Sequence, residues 1–88
     1  MFDAKLIGDT IRRLREKKGL SQEVLSGLAG MNKSHLGRIE RGARKANLDT
    51  VCKIAAALNL KPHQLIAAIE CAHMHNDDSH AKDEFPIS

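Results

Sequence analysis

The 88-residue chain has no Trp, no Tyr and only two Phe. Single-stranded nucleic acids are gripped largely by stacking bases on aromatic rings, so this scarcity counts against an RNA-recognition or single-strand-binding module. It also leaves the chain an aliphatic core. Cysteine is scarce too: Cys52 and Cys71 form no CxxC pair, and each falls in a helical pattern where a thiol acts as a small hydrophobe. Reduced thiols suit an intracellular compartment better than a disulfide framework does. No apolar run approaches the roughly 20 residues of a membrane-spanning helix, and Met1 is followed by FDAKLIGD, which reads as neither a signal nor a transit peptide. A cytoplasmic location is expected. Also missing are a Ser/His/Asp arrangement, a phosphate loop and a paired acidic cluster, so neither an enzyme nor a cofactor is expected.

What is present fits one small domain. A hydrophobic content of 42% supplies a compact core, but a domain of this size buries a modest share of its surface and gains from oligomerisation. The net charge of +3 is unevenly spread. Residues 1–48 carry eleven Lys and Arg against five Asp and Glu, whereas residues 49–88 carry three against six. A basic N-terminal part suggests a polyanionic partner, although a solvated helix surface would look the same by charge alone.

The stretch from Ser21 to Gly42, SQEVLSGLAGMNKSHLGRIERG, carries the most information. Ser21 can cap a helix over about Gln22 to Ala29, in which Val24, Leu25, Leu28 and Ala29 recur at helical spacing and are expected to face a core. Gly30 stops it, because glycine enters the left-handed region without a Cβ penalty. Asn32 can cap a second helix over about Lys33 to Arg41. Two short helices joined by a tight turn containing glycine match a helix-turn-helix unit. At about 100° per residue, Leu36 and Ile39 share the inner side of the second helix with His35 and Glu40 flanking them. Ser34, Gly37, Arg38 and Arg41 lie opposite, with Lys33 at the edge. Such a helix fits the DNA major groove, where Arg or Lys pairs with guanine O6 and N7.

Three more helices complete the expectation. The first runs from about Ala4 to Lys18, capped by Asp3 and closed by Gly19, with Ile7, Ile11 and Leu14 inward and Arg15 at the border of the apolar stripe. After the basic loop ARKAN, Asn47 can cap a helix over Leu48–Leu58 that buries Leu48, Val51, Ile54, Ala55 and Leu58, with Asn59 ending it. A last helix starts near Pro62. Its apolar stripe of Leu65, Ile66, Ala68, Ile69 and Ala72 is too broad for one contact. Leu65 and Ile69 can pack inward, and Ile66 with Ile69 marks a candidate dimer seam.

The segment from Ile7 to Leu65 resembles the Cro and phage-repressor, or XRE-type, helix-turn-helix family. The likeness is carried by Leu14-Arg15, GLSQ at Gly19 to Gln22, the Ala29-Gly30 turn and IERG at Ile39 to Gly42. Small members such as restriction–modification controller proteins are the most similar in size. The resemblance implies an all-α, five-helix bundle of the lambda-repressor-like type over residues 1–73, with the motif at 21–42 and a polar, acidic tail over 74–88. It implies a transcriptional regulator of double-stranded DNA, a homodimer reading an inverted repeat. By this likeness Arg15 pairs with Glu40, while Lys33, Ser34 and Arg38 read bases. Gln22 holds a phosphate and braces Lys33, and Asn32, Arg41, Arg44 and Lys45 add backbone contacts. Two departures stand out: Ala46 where proline is common, and Gly37 where a polar side chain is common.

Beyond about His73 the helical pattern gives way to HMHNDDSHAKDEFPIS. His73, His75 and His80 with Cys71, Asp77 and Asp78 match no standard metal-ligand spacing, so no metal site is expected. Phe85 and Ile87 are the natural anchors if the tail packs on a partner. That tail sustains an alternative, an antitoxin-like protein-interaction module with secondary DNA binding.

Overall fold

The computed structural model describes residues 3–77, with side chains described as far as Ala72. It contains five helices and, among the described residues, no strand: α1 (Ala4–Lys17), α2 (Gln22–Ala29), α3 (Lys33–Glu40), α4 (Leu48–Ala57) and α5 (Pro62–Asp77). The tail residues 78–88, with His80, Phe85 and Ile87, lie outside the described residues, as do the side chains of His73 and His75. The metal and partner readings of that segment therefore fall outside as well. No described helix is long and apolar enough to cross a membrane.

Each of the first four helices starts where a side chain satisfies an amide that has no partner within the helix. Asp3 Oδ1 accepts from Leu6 N at 2.8 Å, Ser21 Oγ from Val24 N at 3.1 Å, Asn32 Oδ1 from Ser34 N at 2.7 Å and Asn47 Oδ1 from Thr50 N at 2.8 Å. At α5 the reach is reversed, Gln64 Oε1 accepting from Lys61 N at 2.8 Å. Gly30 ends α2 at φ +67°, and Met31 N donates to Ser26 O at 2.9 Å across the turn. Asn59 takes the same left-handed conformation after α4, at φ +63°.

The core is aliphatic throughout: Ile11, Leu25, Leu36, Ile39, Ile54, Leu58 and Leu65 are wholly buried, and Ile69 is 1% exposed. α1 packs on α3 and α5, α2 on α3 and α4, and α4 on α5. The helix-turn-helix pair is thus backed by three helices. One contact sets how closely they approach. A Cβ on Gly8 of α1 would run into the carbonyl oxygen of Ile39 and stand 2.8 Å from that of Glu40, so the end of α3 rests on α1 where α1 has no side chain.

Several expectations from spacing need correction. Val24 and Leu28 are 47% and 62% exposed, because the short α2 turns only the Leu25, Ser26 and Ala29 stripe into its neighbours. Leu48 is 69% exposed, as the buried face of α4 begins at Val51. Ile69 belongs to the core of its own chain and is removed from the expected dimer seam; Ile66 remains half-buried. α5 continues to Asp77, across the expected domain boundary at residue 73.

Candidate nucleic-acid interface

The inner side of α3 is fixed by one polar cluster. Glu40, 3% exposed, accepts from Arg15 Nε at 2.7 Å and Arg15 Nη2 at 3.0 Å, a two-pronged ion pair between α1 and α3. Gln22 Nε2, at the start of α2, donates to Glu40 Oε1 at 2.9 Å. Arg15 Nη1 donates to Leu20 O at 2.8 Å and so ties in the α1–α2 connection. The guanidinium pKa is held above its ordinary value first by its hydrogen bonds to Glu40, against the opposing effect of burial, and further by the charges of Glu40 and Glu16. No described buried side-chain nitrogen or oxygen lacks a partner. Three helices therefore converge on a single carboxylate, with the α1–α2 connection held through Arg15.

The pairing of Arg15 with Glu40 stands where the sequence placed it. Gln22 Nε2 donates one hydrogen to Glu40, and its oxygen lies on the Gly37 side, in the notch that Lys33 also lines. Sequence spacing shows which residues share one helix face, but Gln22 and Glu40 lie on different helices 18 residues apart. Only the docking of α2 on α3 brings them together.

The outer side of α3 is of opposite character. Lys33, Ser34, Arg38 and Arg41 are exposed there. With Gly37 and Gln22 they line a polar notch of about 340 Å³ between α3 and the start of α2. Arg44 and Lys45 follow in the exposed loop before α4. Among the described residues none of Lys33, Arg38, Arg41, Arg44 or Lys45 makes an ion pair, whereas Lys5 and Arg12 of α1 and Lys53 of α4 are each matched to an acid on their own helix. Five of the described cations without an ion pair thus lie on and just after α3, the others being Arg13, Lys17, Lys18 and Lys61. Asn32 spends its side-chain oxygen on the α3 cap, leaving its amide nitrogen outward.

Two packing features behind the interface escaped the sequence reading. Ser26 is buried, with its hydroxyl donating to Glu23 O at 3.0 Å, so it lines the core although it reads as a surface residue. Gly8, seven residues before Arg15 on the same face of α1, is the second. A glycine one turn from Ile11 and Arg12 in an otherwise regular helix was the available signal.

A helix-turn-helix family model matches residues 11–65. The control protein C.BamHI of Bacillus amyloliquefaciens is 36% identical over 62 residues, covering 69% of this chain and 76% of that protein. The restriction-modification controller protein C.AhdI from Aeromonas hydrophila superposes with a TM-score of 0.68 at 42% identity, covering 70% of this chain and 94% of that one. SinR, described as a master regulator for biofilm formation and solved in complex with DNA, gives a TM-score of 0.63 at 34% identity, covering 68% and 97%.

Proposed function

Since the chain belongs to the helix-turn-helix family of DNA-binding transcription regulators, which are not enzymes, we propose that it is a regulator of the restriction–modification controller type, reading its operator with α3 in the major groove. The observation that carries this is the division of α3 into a buried side anchored through Glu40 and an exposed side of unpaired donors. A helix serving only as scaffold gains nothing from crowding unmatched positive charge on one face.

The roles follow from position. Lys33, Ser34 and Arg38 lie along the exposed face and contact base edges, Arg38 pairing with guanine O6 and N7. Arg44 and Lys45, beyond the end of α3, neutralise phosphates and supply affinity without sequence information. The start of α2 and the outward amide of Asn32 meet the flanking backbone, where helix N-termini favour phosphate. The protein acts as a homodimer whose seam includes Ile66 on α5. Its two copies of α3 enter half-sites about 34 Å apart on an inverted repeat.

Selection from a pool of random duplex DNA at moderate salt tests this reading. The expected result is an enriched inverted repeat with half-sites about one helical turn apart. Retention without any enriched sequence, vanishing as salt rises, would reduce the interaction to backbone attraction and contradict the proposal.

A further inference from the structure

The glycines inside the helices differ in what their missing Cβ achieves. At Gly8 it admits the backbone of α3, and at Gly27 of α2 an added Cβ would meet nothing within 4 Å. Gly37 of α3 is a third case. A Cβ there would stand 3.3 Å from Arg41 Nη1 and 3.9 Å from Gln22 Oε1, with no backbone atom of another element in range. Glycine in a helix interior costs about 1 kcal/mol relative to alanine, and no packing of helix on helix explains that cost here. The space left open is occupied by the Arg41 guanidinium.

Helical side chains lean towards the N-terminus, so a residue one turn after Gly37 covers the Gly37 position. Arg41 does this. Its guanidinium lies back along α3, in the same notch as Lys33, Ser34 and Arg38, instead of extending off the helix end towards the loop that carries Arg44 and Lys45. Glycine at 37 makes that path available: a Cβ there would shift the guanidinium by only a few tenths of an ångström, whereas a long side chain would fill the path itself.

We propose that Arg41 is a specificity-determining residue seated by Gly37, and that it reads a guanine edge beside the one read by Arg38. The proposal rests on the placement of α3 in the major groove. It moves Arg41 from the backbone group, where its place in the sequence puts it, to the base-reading group. The planar guanidinium fork matches guanine O6 and N7 together, which a lysine ammonium does not.

The test uses the full chain, the operator obtained by selection, that operator with single base pairs exchanged, and random duplex DNA. Arg41→Ala should weaken operator binding roughly 5- to 150-fold, the range of one bidentate base contact, and abolish preference at one base pair, with a much smaller loss on random duplex. Arg41→Lys should fail to restore that preference. Gly37→Gln, whose side chain fills the path of Arg41, should stay folded yet lose preference at the same base pair, and adding Arg41→Ala to it should bring no further loss of that preference. Gly37→Ala, which shifts the guanidinium by only a few tenths of an ångström, should melt no lower than the parent and keep the preference. Gly27→Ala, which removes a helix glycine away from the notch, should bind as the parent does.

Equal loss on operator and random duplex in Arg41→Ala would make Arg41 a phosphate contact and overturn the proposal. So would unchanged operator preference in Gly37→Gln. Arg38→Ala separates the two levels of the argument: selective loss there alongside a non-selective Arg41→Ala defeats only the role of Arg41. Non-selective loss in both variants, or no enriched operator at all, removes the major-groove placement together with this proposal.

Discussion

Both halves of the molecule share the aliphatic core, but only α1, α2 and α3 add a polar junction to it. Among the described residues, every side-chain hydrogen bond between different helices ends on Glu40, so α1, α2 and α3 share one directional polar junction. α4 and α5 contribute Ile54, Leu58, Leu65 and Ile69, side chains at most 1% exposed that hold by burial alone. Burial is non-directional, whereas hydrogen bonds weaken steeply away from their preferred angle. A scaffold tolerates the first. A helix proposed to present Arg38 to a base edge needs its axis and rotation fixed, and the second supplies that.

The largest effect is expected at the polar junction. Glu40→Ala leaves Arg15 and Gln22 without their acceptor at a nearly closed site, and should cost about 3–5 kcal/mol, the usual penalty for removing one partner of a buried pair. Thermal or urea unfolding measures it, and unchanged stability would show that the junction is ornamental. Leu65→Ala, in the aliphatic half, should cost about 2–5 kcal/mol through lost burial and the cavity left behind. The two variants then part company. At low temperature, where enough of each remains folded, Leu65→Ala should keep the ratio of operator to random-duplex affinity, and Glu40→Ala should lower it. An equal ratio in both would deny the junction any role in orientation.

A smaller effect sharpens the contrast with surface charge. Burial pushes the Asp9 carboxyl up, but its hydrogen bond from Arg12 at 3.2 Å and the charges of Lys5 and Arg12 hold its pKa below the ordinary value. A depressed carboxyl pKa stabilises the folded chain above the unfolded value of about 3.9 and loses that contribution as the pH falls through the folded value. Asp9 is 27% exposed, so the contribution is roughly 0.2–1 kcal/mol. The stability gap between the parent and Asp9→Asn at pH 7 should therefore close as the pH drops below about 3.9. A gap that widened instead would reverse the sign of this interaction.

Much of the fold was legible because its punctuation is local. Asp3, Ser21, Asn32 and Asn47 each cap the helix that follows, and Gly30 and Asn59 stand in the left-handed conformation assigned to them. Burial was legible where a helix shows one stripe and misread where two stripes compete. In α2 the Leu25, Ser26 and Ala29 side wins over Val24 and Leu28, and in α5 Ile69 joins the core instead of a seam. Spacing along one helix cannot arbitrate, because the choice depends on which neighbours dock and at what angle. For the same reason the link from Gln22 to Glu40, and the close passage of α3 over Gly8, became visible only with three helices in place. On α3 itself the separation of Leu36 and Ile39 from Lys33, Ser34 and Arg38 followed from helical period alone.

In the proposed complex the exposed face of α3 reads sequence while the loop after it supplies only charge. The most direct measurement is the affinity of Arg38→Ala and Lys45→Ala for the selected operator and for random duplex across a range of salt. Arg38→Ala should lose about 1–3 kcal/mol on the operator and relax preference at one base pair, while Lys45→Ala should weaken every sequence alike and lower the salt slope by about 1. Equal losses on both DNAs in both variants would contradict the account.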